Sequence, residues 1–116
     1  MDTAIIDPDR LCELTCELGE GDTLDVLSMF LDEASATIDG ISGALDDGAY
    51  DKATHFVRSG ALNLGLSGLA RQAAMAAREV DGDGRDAAGE ALRWTLQETR
   101  LVIGERKARL DGSAVA

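Results

Sequence analysis

The sequence predicts an all-α fold, an up-and-down four-helix bundle with a short N-terminal capping helix. Three observations predict it. Apolar residues recur at alternating steps of three and four through most of the 116 residues, which is the period of helices buried on one side. No stretch alternates apolar and polar residues as a half-buried strand does. The single proline, Pro8, lies near the start, so nothing interrupts helices across the rest of the chain.

The elements follow in order. Asp7 is a good N-cap, Pro8 falls at the first helical position, and Ile6 and Leu11 are spaced as a hydrophobic staple. A first helix therefore runs from Pro8 to Leu18 and ends before Gly19 and Gly21. Asp22 is read as the cap of a second helix whose stripe is Leu24, Leu27, Leu31, Ala34, Ile38, Ile41 and Leu45, stopped by Asp46-Asp47-Gly48. A third helix begins near Ala49 or Tyr50 and continues towards Gly65. A fourth carries Leu66, Leu69, Ala73, Ala76 and Val80 on one side. Asp81-Gly82-Asp83-Gly84 reads as the clearest turn in the chain. The last helix spans Arg85 to Leu110, with Ala88, Leu92, Thr95, Thr99, Val102 and Arg106 aligned, and the tail from Gly112 is expected to fray. The whole is one domain over 1–116, with an ordered core over about 7–111 and no internal repeat.

Composition narrows the function. Apolar residues make up 45% and charged residues 28%, as in a globular protein rather than a disordered one. Aromatics are only 3%, so the core must be aliphatic. Net charge is −11, and it is uneven: residues 1–51 hold fourteen acids and one base, Arg10, whereas residues 52–116 hold ten bases and eight acids. Such a chain is repelled by phosphate backbones and anionic lipid, so neither nucleic acid nor membrane is the expected partner. There is no apolar run of membrane-spanning length and no signal-peptide start, so the expected location is the cytoplasm. Met1 is read as the start of a free-standing protein. Cys12 and Cys16, four apart on the first helix, lack a nearby histidine that would suggest a metal site and are read as core fillers.

Several chemical motifs fail on inspection. Gly60 to Gly65 has the glycine spacing of a phosphate-binding loop, but Leu66 stands where lysine must be and no strand precedes it. Asp81 to Asp86 hints at a calcium loop, yet its second glycine comes too early and Arg85 takes a ligand slot. Asp51, His55 and Ser59 share a helical side, as acid, imidazole and hydroxyl. Nothing supplies an oxyanion hole, however, and a regular helix does not present serine as a nucleophile elbow does.

His55 is the only histidine. At about 100° per residue, Ala53, Val57, Ala61 and Leu64 lie on the side opposite to it and form the core stripe. Within about 60° of His55 lie Asp51, Lys52, Arg58, Ser59, Leu62 and Leu66. The imidazole is therefore predicted to face solvent, beside a base and two exposed leucines that suggest a docking surface.

The run from Ala53 to Leu66 resembles the signature of histidine-containing phosphotransfer (HPt) domains, roughly His-x-Leu-Lys-Gly-Ser/Ala-Ser/Ala-x-x-Leu-Gly. His55 matches the phospho-accepting histidine and Val57 the apolar position two later. Arg58 stands for the usual lysine, keeping the charge but offering a planar fork. Ser59-Gly60 replaces the usual Gly-Ser order. Ala61 matches the second small residue, Leu64-Gly65 the closing pair, and Asn63 a frequent choice before it. The motif covers about a dozen residues; the rest of the resemblance is to a helical bundle of this length.

What the resemblance implies is a phosphorelay intermediate, a phosphocarrier rather than an enzyme in its own right. A receiver domain bearing a phosphorylated aspartate would dock over His55, and Nε2 would take the phosphoryl group and later pass it to another receiver. Imidazole suits both steps because it is largely neutral and nucleophilic near pH 7. Arg58 would balance phosphate charge and the Ser59 hydroxyl would donate a hydrogen bond. Leu62 and Leu66, with Phe56 at the edge and the small Gly60, would form the apolar docking patch, and Lys52 and Arg58 its rim. No cofactor is implied on this chain, since magnesium would come with the receiver. The expected partners are response-regulator receiver domains and a hybrid histidine kinase, met by a monomer. Two other readings are a non-phosphorylated helical adaptor or inhibitor that binds a receiver or histidine kinase, and a structural bundle that mediates oligomerisation.

Overall fold

The computed structural model describes residues 4–115. They form five helices: α1 (Pro8–Leu18), α2 (Glu20–Asp39), α3 (Asp47–Asn63), α4 (Ser67–Ala76) and α5 (Gly82–Val115). Among the described residues there is no strand, and no helix is long and apolar enough to cross a membrane. α2 packs against α1, α3 and α5, and α4 against α3 and α5. The longest dimension, 52 Å, is that of α5, whose 34 residues at about 1.5 Å each span roughly 51 Å.

α1 has the predicted bounds, and its ends show why. The Asp7 carboxylate accepts hydrogen bonds from the Asp9 and Arg10 N–H groups, and Ile6 and Leu11 are both buried. Gly19, at φ 86°, ends the helix in a conformation costly for any other residue. The same glycine opens α2 directly, so α2 starts at Glu20 and Asp22 lies inside its first turn rather than capping it. The cysteines are a correction. Leu11 and Leu14 take the buried side of α1, and Cys12 and Cys16 lie on the opposite side, exposed as free thiols.

α2 stops at Asp39, six residues before the end of its predicted stripe. Ile41 is buried and Leu45 half-buried, so the stripe still feeds the core, but not as helix. The reason is tertiary. Gly43 lies against the Gly82 backbone so closely that a β-carbon there would overlap it, and its N–H donates to Asp86 Oδ1 at 2.6 Å. That crossing ties residues 40–46 to the start of α5. Asp46 then caps α3 by accepting from the Ala49 N–H, which starts that helix at Asp47.

Three further boundaries differ from the sequence reading. α4 ends at Ala76, leaving Val80 82% exposed rather than on the core stripe. Asp81 Oδ1 accepts from the Gly84 N–H, so Gly82 to Gly84 form the first turn of α5 instead of a loop. Beyond the predicted end, the backbone of α5 continues through Gly112 to Val115.

The core is largely aliphatic, as the scarcity of aromatics predicts, with Phe30 and Tyr50 its aromatic members: Leu24, Leu27, Leu31 and Ile38 of α2 meet Val57 and Ala61 of α3, Leu69 and Ala73 of α4, and Leu92 and Ile103 of α5. Buried Thr54 and Thr99 satisfy their hydroxyls on carbonyls of their own helices. Along one seam Asp39, Asp32 and Asp25 of α2 pair with Arg93, Arg100 and Lys107 of α5 at 3.9, 3.1 and 3.6 Å. The numbers fall on one helix as they rise on the other, so this pair of helices runs antiparallel with one ion pair every seven residues.

Candidate functional site

α3 positions the site. It buries Tyr50, Thr54, Val57 and Ala61, and that stripe turns His55 outward. His55 is exposed, as predicted, and so are Lys52, Phe56, Arg58, Ser59 and Leu62. Among the described residues no hydrogen bond or ion pair engages the imidazole, and neither Lys52 nor Arg58 is in an ion pair. Both ring nitrogens and both cations are therefore open to an incoming group.

The ring stands on a ridge between two grooves. On one flank lies an open groove of about 550 Å³ between α2 and α3. Val26, Met29, Phe30 and Glu33 line it from α2, and His55, Phe56, Ser59, Gly60 and Asn63 from α3. Phe30 and Phe56 make its floor, their ring centroids 5.8 Å apart and tilted by 39°. Gly60 is what admits Phe30, because a β-carbon at that position would overlap the edge of the ring. This half-buried glycine shapes the groove from below. On the other flank a groove of about 450 Å³ is lined by Asp51, Lys52, Thr54, His55, Arg58 and Ala77. Apolar contact is thus offered on one side of the imidazole and positive charge, with one carboxylate, on the other. Ser59 faces the apolar groove and Arg58 the charged one.

One docking residue must be corrected. Leu66 is fully buried at 0% exposure, whereas Leu62 is 54% exposed. α3 ends at Asn63, so extrapolating its 100° steps to residue 66 fails. The Leu66 N–H donates to the Ala61 carbonyl and the Gly65 N–H to the Leu62 carbonyl, with Gly65 at φ 76°. This is a Schellman turn, and it sends the residue after the glycine back onto the core. The same turn receives α1: the Asp7 N–H donates to the Gly65 carbonyl at 2.8 Å, and Arg10 Nε to the Asn63 carbonyl at 2.8 Å.

Sequence reasoning missed the α2 side of the site. Val26 and Met29 are apolar and three apart but off the stripe of Leu24, Leu27 and Leu31, and Met29 is 65% exposed. Apolar residues that break from a strong core stripe are the signal that would have found them. Comparison with family models, curated proteins and solved structures finds no match.

Proposed function

We propose that this chain is a phosphorelay carrier of the HPt type, taking a phosphoryl group on His55 from a receiver aspartate and handing it to another. The observation that supports this most is the unengaged imidazole on its ridge, with Lys52 and Arg58 on one flank and an apolar groove on the other. In the forward step Nε2 bonds to phosphorus as the phosphorus–oxygen bond to the receiver's aspartate breaks, which returns that side chain to a carboxylate. In the second step the phosphorus–nitrogen bond breaks as a carboxylate oxygen of the next receiver's aspartate bonds to phosphorus, which frees the imidazole. Such transfer is mostly positioning and charge stabilisation, so few groups are needed here. Arg58 meets the phosphoryl oxygens from the charged side and Ser59 offers a hydroxyl from the other. Magnesium arrives on the receiver.

The docking face in this reading differs from the one the sequence suggested. Phe56 and Leu62 remain, Leu66 is replaced by Val26 and Met29, and Gly60 with Phe30 shapes the floor. A small contact of this kind suits a partner that must leave quickly. The up-and-down order of the bundle, a monomeric state and a cytoplasmic location belong to the same proposal. The apolar groove also favours a second reading, an adaptor that docks a receiver without carrying phosphate.

One experiment separates the two. Incubation with a phosphorylated receiver is expected to label this chain with phosphate that is labile in acid and stable in base, as a phosphorus–nitrogen bond is. His55→Gln is expected to abolish labelling and to change stability by no more than about 0.5 kcal/mol, because the side chain is exposed. Arg58→Ala is expected to slow transfer without abolishing it, one charge-assisted contact being worth about 1.5–3 kcal/mol. Labelling that survives in His55→Gln rejects the carrier reading, since no second histidine exists. Receiver binding without any labelling of the unaltered chain selects the adaptor.

A further inference from the structure

Away from His55, α5 carries a second apolar line that none of the described helices covers. Trp94 and Leu101 are seven residues apart and each is 70% exposed. Ala87 and Ala108, also exposed, extend the same step of seven in both directions. The buried residues of α5, among them Leu92, Leu96 and Ile103, face the other way. A step of seven holds apolar residues in line against a second helix wound about the first.

Charge identifies the occupant. Asp83, Glu90, Glu98 and Glu105 lie within about 40° of Trp94 around the helix. All four are exposed, and none is in an ion pair among the described residues. Arg93, Arg100 and Lys107 of the same helix are turned to α2 and engaged there; Arg109 is the one cation within about 60° of Trp94. A second copy of this chain fits badly. Antiparallel pairing about the midpoint of Trp94 and Leu101 sets Glu90 against Glu105, and parallel pairing sets each carboxylate beside its own copy. Phosphate-bearing surfaces are repelled by the same carboxylates.

We propose that this face docks a basic amphipathic helix of a partner protein, with apolar residues seven apart over Trp94 and Leu101 and lysines or arginines opposite Glu90, Glu98 and Glu105. α3 and α5 each lie mainly against α2 and α4 and meet through Arg85, which reaches Asp47 and Tyr50. His55 and Trp94 are exposed on different helices, so this partner leaves the His55 face open. The inference does not depend on the phosphotransfer reading.

Trp94 is the only tryptophan, so its emission reports this face alone. The probe is a synthetic helical peptide of about four heptads with leucine and isoleucine at the seam and lysine at the flanking positions; a matched peptide carries glutamate there. The lysine peptide is expected to shift Trp94 emission to the blue and shield it from acrylamide, with affinity falling about tenfold or more between roughly 50 and 500 mM salt. Leu101→Asp is expected to abolish the shift although it makes the face more acidic. The combined Glu90→Lys, Glu98→Lys and Glu105→Lys chain is expected to prefer the glutamate peptide. These positions are exposed, and unchanged helical circular dichroism confirms that each variant folds. The proposal is overturned if the lysine peptide leaves Trp94 unmoved, if both peptides act alike, or if Leu101→Asp binds as before. Concentration-dependent dimerisation of the chain alone, with blue-shifted Trp94, would assign the face to a second copy instead.

Discussion

Tyr50 shows how a polar side chain is accommodated in a largely aliphatic core. It is fully buried, its hydroxyl donates to the Ala76 carbonyl at 2.6 Å, and the Arg85 guanidinium stacks 4.2 Å over its ring. Arg85 in turn reaches Asp47 at 2.8 Å and the Glu79 carbonyl, so one cluster joins the starts of α3 and α5 to the end of α4. Burial holds the Tyr50 phenol above its usual range; the nearby Arg85 charge acts in the opposite sense, and Glu79 and Asp51 add to the rise. A raised folded value means that the native state keeps its proton longer than the unfolded chain does. Its stability contribution is therefore complete below about pH 10 and is lost as pH rises beyond it. Tyr50→Phe is expected to cost about 1 kcal/mol at neutral pH, leaving the Ala76 carbonyl without this partner. The gap between the two chains should then narrow above pH 10. Urea denaturation of both chains from pH 8 to 11 checks this, and a gap that stays constant would count against the buried phenol as its source.

At the scale of elements, the contact of α2 with α3 turns on Gly60 and Phe30. A glycine inside a helix costs about 1 kcal/mol relative to alanine, so its use at residue 60 has to be offset by packing. The overlap that a β-carbon would make with the Phe30 ring supplies the reason. Gly60→Ala is accordingly expected to destabilise the chain by about 1–3 kcal/mol when Phe30 is present. In a Phe30→Leu chain, where the ring is gone, the same change should be neutral or stabilising by up to about 1 kcal/mol. Denaturant midpoints of the four chains measure that coupling, and an equal effect of Gly60→Ala in both backgrounds would remove the explanation. This contact also decides the Ser59-Gly60 order: the glycine must be the residue that faces α2, which leaves the serine on the rim beside His55.

At the scale of the whole molecule, the uneven charge finds a structural outlet. Much of the surplus acid lies in the first half of the chain, and three of its carboxylates are met by α5 along the antiparallel seam. Each pair is well exposed, so each contributes only about 0.2–1 kcal/mol and is weakened by salt. Asp32→Lys is expected to lose that amount and add repulsion with Arg100, while Asp32→Lys combined with Arg100→Asp restores most of the loss. Salt also relieves self-repulsion in a chain of net charge −11. The seam is thus read from differences between variants, which should shrink between roughly 50 mM and 1 M salt. A swapped chain no more stable than Asp32→Lys alone would mean that the pairs do not set the register.

The helical class, the limits of α1 and the exposure of His55 were legible in the sequence because each depends on interactions within a few turns. Asp7-Pro8 and Gly19 act through the backbone next to them, and the side of α3 that carries Val57 and Ala61 leaves His55 only the outer one. The two rows of the ion-pair seam were also present, as Asp25, Asp32 and Asp39 and as Arg93, Arg100 and Lys107, but nothing local says that rows so far apart will meet. The tertiary structure alone decided where α2 stops, because the approach of Gly43 to Gly82 joins residues 39 apart. It decided that Leu66 is core, since a helix projection has no meaning past the Gly65 turn. It decided as well that Cys12 and Cys16 face solvent and that Val26 and Met29 complete the groove beside His55. Periodicity shows that a helix has an apolar side; only the packed neighbours determine which apolar residues are covered and which remain free to bind.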